Sequence, residues 1–345
     1  MKPRELRLLI MHVSTRCDQA CAHCSIWKAN GKNPESLGLD QRVGLIGEAR
    51  SLGARSILFT GGEPLLCDHI EALARAAHAL GLSVQIATNG LGLEGARLWL
   101  GDLVDEIYVS VDGPEAVHDS IRGASMFSRL KASIAVIHGL AKRPRLIGRS
   151  VVSSRNAAVL DATVAAARSL GLDGISFLAA DSTSDAFGGD PSSRRFLRPG
   201  EADVLAMRAA ISRLDAAGDL GRFVCEDLNK LARIAADLVT DHAERSAPAC
   251  NAPEWSSVVE VDGALRPCFF QARVSRVGAG VSLAASRQST AYATALRELG
   301  AGHPICGACV CPKHVAAGLG AVKERVKAVL GRALAPRSER SGVPA

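Results

Sequence analysis

The sequence predicts an α/β fold built on a parallel sheet, and three observations carry that prediction. Short β-like runs alternate with segments whose apolar residues recur at helical spacing. Gly53, Gly81 and Gly171 stand where three of those helical segments stop, as helix C-terminal glycines do. Cysteines, a glycine pair and asparagines collect just past the strand-like runs, where a parallel sheet carries its functional loops.

The strands are predicted in order at 8–13, 56–60, 83–87, 106–111, 145–152 and 174–178. Helical segments at 39–52, 70–80, 93–100, 127–140 and 157–170 supply the crossovers that parallel strands need. Cys17-x3-Cys21-x2-Cys24 follows the first strand, Thr60-Gly61-Gly62-Glu63-Pro64 the second, and Thr88-Asn89-Gly90 the third. Ser110-x-Asp112-Gly113 lies at the fourth and Asn156 follows the fifth. Residues 199–241 read as helical and polar-faced, without a catalytic signature. A second small module is expected next, because Asp262-Gly263 between the β-rich runs 258–261 and 265–269 is a strong hairpin signal. Helical segments around 291–299 and 316–330 complete the ordered chain, and residues after 331 read as a loose tail.

A chain of 345 residues has the length for about two domains. With 48% hydrophobic, 22% charged and 4% aromatic residues it reads as an ordinary globular protein, not a disordered or fibrous one. Apolar runs such as 7–13 and 175–180 fall far short of the ~20 residues of a membrane span, and the N-terminus lacks the apolar stretch of a secretory signal. No membrane partner and a cytoplasmic location are therefore expected. The net charge of +6 comes from 41 basic and 35 acidic residues, and residues 322–345, with six basic and two acidic residues, hold +4 of it. That segment reads as a solvated terminus, so nucleic acid is not the expected partner.

Ten cysteines stand at 17, 21, 24, 67, 225, 250, 268, 306, 309 and 311, and eight of them form two groups. Cytosolic thiols grouped in this way bind metal. Three thiolates on one loop can each hold a corner of a cubane iron–sulfur cluster, which leaves the fourth iron open for chemistry. A structural zinc that recruits His23 is the other reading of this loop.

The Cys-x3-Cys-x2-Cys loop after the first strand, joined to Gly-Gly-Glu-Pro after the second, resembles the radical S-adenosylmethionine (radical SAM) superfamily. The resemblance implies a partial (β/α)6 TIM-like barrel with Cys17, Cys21 and Cys24 ligating a [4Fe-4S] cluster. Its open iron would chelate S-adenosylmethionine and split it to a 5′-deoxyadenosyl radical, with flavodoxin or ferredoxin as reductant. His23 matches an aromatic position near the adenine. Gly61, Gly62, Glu63 and Pro64 match the segment that meets the methionine amino group, and Ser110 and Asp112 match the region near ribose and carboxylate. Arg122 matches a cofactor-carboxylate contact, although alone it would read as a surface charge. Asn89 and Asn156 sit at cofactor-facing strand ends, and Cys67 reads as a packed thiol.

Cys250 and Cys268 have 17 residues between them, and Cys306-x2-Cys309-x-Cys311 follows after 37 more. Spacing alone fits zinc or an iron–sulfur cluster in a closed four-ligand site. Cys-x12-Gly-x4-Cys followed by Cys-x2-Cys resembles the twitch domain, a shortened SPASM domain. That resemblance implies an auxiliary [4Fe-4S] cluster on Cys250, Cys268, Cys306 and Cys309, with Cys311 as the alternative to Cys309. The implied organisation is a barrel at 1–198, a helical connection at 199–245, a β-hairpin-plus-helix cluster domain at 246–330 and a basic tail at 331–345.

The expected activity is that of a radical SAM oxidoreductase. It would abstract hydrogen from a sugar or aminocyclitol-like small molecule, in a dehydrogenation with the auxiliary cluster as electron acceptor. Modification of a ribosomal peptide is a rival reading, and so is epimerisation with Cys225, Cys311 or Cys67 as hydrogen donor. Asp181, just past the sixth strand, is the expected base, against a plain loop aspartate.

Overall fold

The computed structural model describes residues 3–30, 36–181, 184–188, 197–237, 250–278, 280–301 and 306. Six parallel strands form its body: β1 (Leu8–Ser14), β2 (Ser56–Gly61), β3 (Ser83–Thr88), β4 (Glu106–Ser110), β5 (Arg145–Val152) and β6 (Gly174–Ala179). Helices α1 (Leu39–Ser51), α2 (Ile70–Ala79) and α3 (Leu93–Leu103) make the first crossovers. The pair α4 (Glu115–Arg122) and α5 (Met126–His138) makes the next, and α6 (Leu160–Ser169) leads to β6. Gly53, Gly81 and Gly171 do take the positive φ that ends a helix.

Strand alternation sorts the side chains. Leu9, Met11, Val13, Ile57, Phe59, Val84, Ile86, Ile107 and Val109 turn outward and are buried against the helices. The alternate residues, among them His12, Thr60, Gln85, Tyr108, Ser110 and Arg149, keep partial exposure and face the inside of the arc. That inner face, not the apolar core, is where a substrate can lie.

Helices α7 (Glu201–Ala216) and α8 (Leu228–Asp237) cover the β6 side of the arc. The chain then returns through the short α9 (Ala252–Trp255) to β7 (Ser256–Val259), β8 (Ala264–Arg266) and β9 (Ser275–Arg276), with α10 (Leu283–Gln288) and α11 (Thr290–Gly300) behind. The expected Asp262-Gly263 hairpin is present, with Gly263 at φ +84. It is not a detached module, however. Strand β7 pairs in parallel with β1 from Leu8↔Ser256 to Met11↔Val259, so all nine strands form one sheet in the order β6-β5-β4-β3-β2-β1-β7-β8-β9. Strands β6 and β9 are its edges, and the arc stays open. The predicted helix at 316–330 and the tail lie outside the described residues. Among those described, no helix is long and apolar enough to cross a membrane.

Candidate functional site

The first cysteine loop is tied to the carboxyl ends of the strands by backbone bonds. The N–H of Gly62 donates to Ser14 O at 2.8 Å, and that of Glu63 to Arg16 O at 2.7 Å. A Cβ on Gly61 would sit 2.3 Å from Ser14 O, and one on Gly62 would sit 2.3 Å from Arg16 O; Gly61 also holds φ +137. The glycine pair is therefore required by the approach of the cysteine loop itself. Below it, the buried Arg42 of α1 donates to Val13 O at 2.8 Å and meets the Cys67 thiol at 3.5 Å, so Cys67 is the packed thiol expected.

Glu63 turns back into the protein. Its carboxylate accepts from Leu65 N, from the Thr88 hydroxyl at 2.7 Å and from Asn89 N at 2.7 Å, lacing the end of β2 to the end of β3. Burial pushes its carboxyl up to about 7 against those three donors. Asn89 carries the tie onward, its amide donating to Asp18 in the cysteine loop at 2.6 Å. Both residues support the loop from beneath.

Asp112 and Arg122 support it from the other side. Arg122 Nε donates to Asp112 Oδ2 at 2.6 Å, and its Nη1 reaches Gln19 Oε1 at 3.3 Å and the Cys21 sulfur at 3.6 Å. Arg122 is thus a buried charge and not a surface one. Burial alone would raise the Asp112 carboxyl; Arg122, helped by His23, the Val151 N–H and His118, instead holds it below the carboxylate range. Ala22 N donates to Ile121 O at 3.0 Å, so α4 grips the loop through backbone as well. The Asn156 amide donates to Asp112 O at 3.0 Å, and the Ser110 hydroxyl donates to Thr88 O at 3.3 Å, joining neighbouring strand ends. Pro64 is buried at the start of the turn after β2.

Inside this frame Cys21 is buried and Cys17 and Cys24 are half-buried. Burial, then the neighbouring Cys21, Glu63 and Cys24, push the Cys17 thiol up to about 12. Burial also raises Cys21, with Arg122 opposing. Buried thiols that resist ionisation alone are the donors that bound iron ionises. Among the described residues no three Cys, His, Asp or Glu side chains gather on one point as a single metal ion requires. His23 is held neutral, its imidazole pushed down to about 4 by burial.

In the second group Cys250, Cys268 and Cys306 lie near enough to influence one another. Burial pushes the Cys268 thiol up to about 11, with Cys306 and Cys250 adding to the rise, and Cys306 is raised by burial and then by Cys250. Cys309 and Cys311 lie outside the described residues. An aromatic layer separates the two groups. Phe187 O accepts from Ser25 N at 2.9 Å and meets the Cys24 sulfur at 3.8 Å. The Phe187 ring lies 5.4 Å from Phe269, which lies 5.4 Å from Phe270 and 5.4 Å from His12. Asp185 of the same loop binds Arg266 of β8 at 2.9 Å, latching this layer to the hairpin.

The two expected catalytic residues lie at opposite ends of β6, Asp181 just past its carboxyl end and Cys225 beside its amino end. Asp181 is buried and its carboxylate accepts from the Ser184 N–H and hydroxyl, so it shapes the loop after β6. Cys225 donates its N–H to Ile175 O at 2.8 Å, beside the amino end of β6 and near Arg145 and Glu106, which begin β5 and β4. The cysteine loop sits at the opposite ends of those strands, so Cys225 is not placed to return hydrogen to a carbon there. His12 was not anticipated. Burial pushes its imidazole down to about 4, with Glu260 opposing and Arg266 and Arg273 assisting, and its Nε2 is buried without a hydrogen-bond partner. A polar residue in a strand that should be apolar on both faces was the available signal.

Residues 11–152 match the family model of the radical SAM superfamily. They form a radical SAM domain. That family implies a [4Fe-4S] cluster and S-adenosylmethionine, and the loop carrying Cys17, Cys21 and Cys24 falls within the match. The chain is 30% identical over 155 residues to the pre-heme d1 synthase of Dinoroseobacter shibae, covering 43% of this chain and 37% of that one. It is 32% identical over 169 residues to the AdoMet-dependent heme synthase of Methanosarcina barkeri, covering 48% of each, and 34% identical over 119 residues to the PqqA peptide cyclase of Rhizobium meliloti, covering 33% and 32%. The chain thus spans half or less of the relatives it matches. In fold it resembles Streptococcus suis SuiB bound to precursor peptide SuiA, at TM-score 0.59 and 14% identity over 84% of this chain and 66% of that one. It also resembles anSMEcpe with bound AdoMet, at TM-score 0.58 and 16% identity over 83% and 81%.

Proposed function

We propose that this radical SAM enzyme oxidises a small molecule held between two iron–sulfur clusters, one on Cys17, Cys21 and Cys24 and an auxiliary one on Cys250, Cys268, Cys306 and Cys309 or Cys311. When bound, the clusters and S-adenosylmethionine supply the radical that removes a hydrogen atom from carbon and the acceptor for the electron left behind. One observation carries the reading. Phe187, whose carbonyl oxygen meets the Cys24 sulfur, packs against Phe269 and Phe270, which directly follow Cys268, so one aromatic cluster adjoins both cysteine groups.

The residues then divide the work. Asp112 and Arg122 fix the cysteine loop, Glu63 and Asn89 hold it from below, and His12 is the group suited to take the proton. It faces the layer through Phe269 and keeps Nε2 unengaged, a ring nitrogen open to accept a proton. The relatives' names include tetrapyrrole synthases and a peptide cyclase, so the shared element is radical chemistry and the substrate does not transfer with it.

Anaerobic reconstitution should give about eight irons per chain, and Cys250→Ala with Cys268→Ala should keep about half of them together with slow, substrate-free release of 5′-deoxyadenosine. A wild type with about four irons and one zinc would overturn the auxiliary cluster. With a genuine substrate, one 5′-deoxyadenosine should form per product, with no solvent deuterium at the reacting carbon. His12→Gln should slow product formation at least about tenfold while 5′-deoxyadenosine still forms.

A further inference from the structure

The inner face of β5 carries a guanidinium that the cofactor reading does not use. Leu146 and Val152 of β5 join the outer core, and a Cβ on Gly148 would meet Ile175 at 3.1 Å and Leu172 at 3.2 Å. Alternation therefore turns Arg149 into the barrel. It is in register with Ser110, the last residue of β4, and its guanidinium lies over the Tyr108 ring at 4.5 Å. Its Nε is buried and has no hydrogen-bond partner.

Among the described residues no carboxylate pairs with Arg149. Glu106, on the same inner face of β4, is engaged by Arg145 at 2.9 Å and by the Tyr108 hydroxyl. The neighbouring Cys225 thiol is raised by burial, and Arg145 and Arg149 act against that rise. Glu106 is thus taken by Arg145, and Arg149, on the inner face, is left without a carboxylate among the described residues. A buried guanidinium nitrogen without an acceptor is costly, and an oxygen of a bound molecule can satisfy it. The planar fork of arginine fits carboxylate and phosphate oxygens two at a time.

We propose that Arg149 binds an anionic group, carboxylate or phosphate, of the molecule that enters the barrel beneath the Ser110 level, with Tyr108 holding the guanidinium in place. Calling that molecule the substrate rests on the radical SAM reading above; binding of the anion does not.

The test uses the full chain, anaerobically reconstituted, at constant ionic strength balanced with potassium chloride. Inorganic phosphate is titrated in one arm and malonate in the other, with and without S-adenosylmethionine, while the melting temperature is recorded. Wild type should rise by several degrees in at least one arm and saturate. A rise with phosphate alone assigns a phosphorylated substrate, and one with malonate alone a carboxylate. Arg149→Met should abolish the rise yet melt at or above wild type without anion, because it fills the space over Tyr108 without an unpaired charge. Arg149→Lys should keep a smaller rise. Three results would overturn the site: a wild type that answers neither anion, Arg149→Met titrating like wild type, or Arg149→Met melting lower with about tenfold weaker S-adenosylmethionine binding. Iron content and substrate-free 5′-deoxyadenosine are read on the same samples. Failure there with the anion response intact would count against the radical SAM reading and not against Arg149.

Discussion

Asp112→Asn should be among the most damaging conservative changes in this protein. Arg122 Nε and Asp112 Oδ2 are 2.6 Å apart, with side-chain exposures of 7% and 0%, so both charges have left water. Removing one partner of such a pair strands the other, at a cost of about 3–5 kcal/mol. An unfolding entropy of about 2.1 cal/mol/K per residue over 345 residues converts that to a fall of ~4–7 °C in melting temperature. Calorimetry on the metal-free protein measures it without interference from iron. The double variant Asp112→Leu with Arg122→Met replaces the pair by apolar groups and should melt within about 2 °C of wild type, since buried pairs contribute little net stability. Both variants should lose iron from the first site, because Arg122 also holds Gln19 and Cys21. The pH sign follows from the lowered Asp112 carboxyl: the pair's contribution is full above the ordinary value of 3.8 and is lost as pH falls through the lower folded value. An Asp112→Asn protein melting within 1 °C of wild type, to the ~1 °C precision of the comparison, would refute the reasoning.

Three further outcomes are expected. Gly62→Ala places a methyl 2.3 Å from the Arg16 carbonyl, so the cysteine loop must shift; iron analysis should show the first site poorly filled while the fold persists. Cys225→Ser should leave 5′-deoxyadenosine and product rates within about twofold of wild type, and a loss of about tenfold would return the thiol to the chemistry. Glu63 titrates in the opposite sense to Asp112: its carboxyl is raised from 4.5 to about 7, so folding favours its protonated form, and that stabilisation is full below pH 4.5 and gone above about 7. The melting temperature of Glu63→Gln relative to wild type should therefore climb between pH 5 and pH 8, and a flat difference would show that the carboxylate is not penalised by burial.

The six parallel strands were legible because each is a short apolar run bounded by turn residues, and the structure moves their ends by only a residue or so. Helix α4 was not. Its buried residues are His118, Ile121 and Arg122, and a face with one aliphatic side chain leaves no periodic apolar signal. The parallel pairing of β7 with β1 joins residues 8–11 to 256–259, a contact that no local pattern announces, so the hairpin read as a separate module. The cysteine groups were legible because spacing along one loop constrains where thiols can meet. The partners of Glu63 and Arg122 were not, since Asn89 is 26 residues from one and Gln19 is 103 from the other. The aromatic layer was hidden for the same reason, with Phe187 and Phe269 brought together by the fold alone.

Glu63, Asp112 and Arg122 lie equally deep, yet the protein treats their charges differently from those inside the barrel. Around the cysteine loop Glu63 has three donors, Asp112 has Arg122 and the Val151 N–H, and Arg122 has Asp112, Gln19 and Cys21. Such closed networks rigidify, which is what a loop holding a cluster requires. On the inner face of the same strands two buried atoms lack a partner, His12 Nε2 and Arg149 Nε. Leaving a buried donor or acceptor unmet costs about 1–3 kcal/mol, so two on one surface are a standing penalty that a bound molecule would remove. Under the proposals above, a bound molecule would complete these two atoms on the inner face. A single molecule that met both proposed contacts would carry a hydrogen-bonding group toward β1 and an anion toward β5, a pairing that the His12→Gln and Arg149→Met variants test one end at a time.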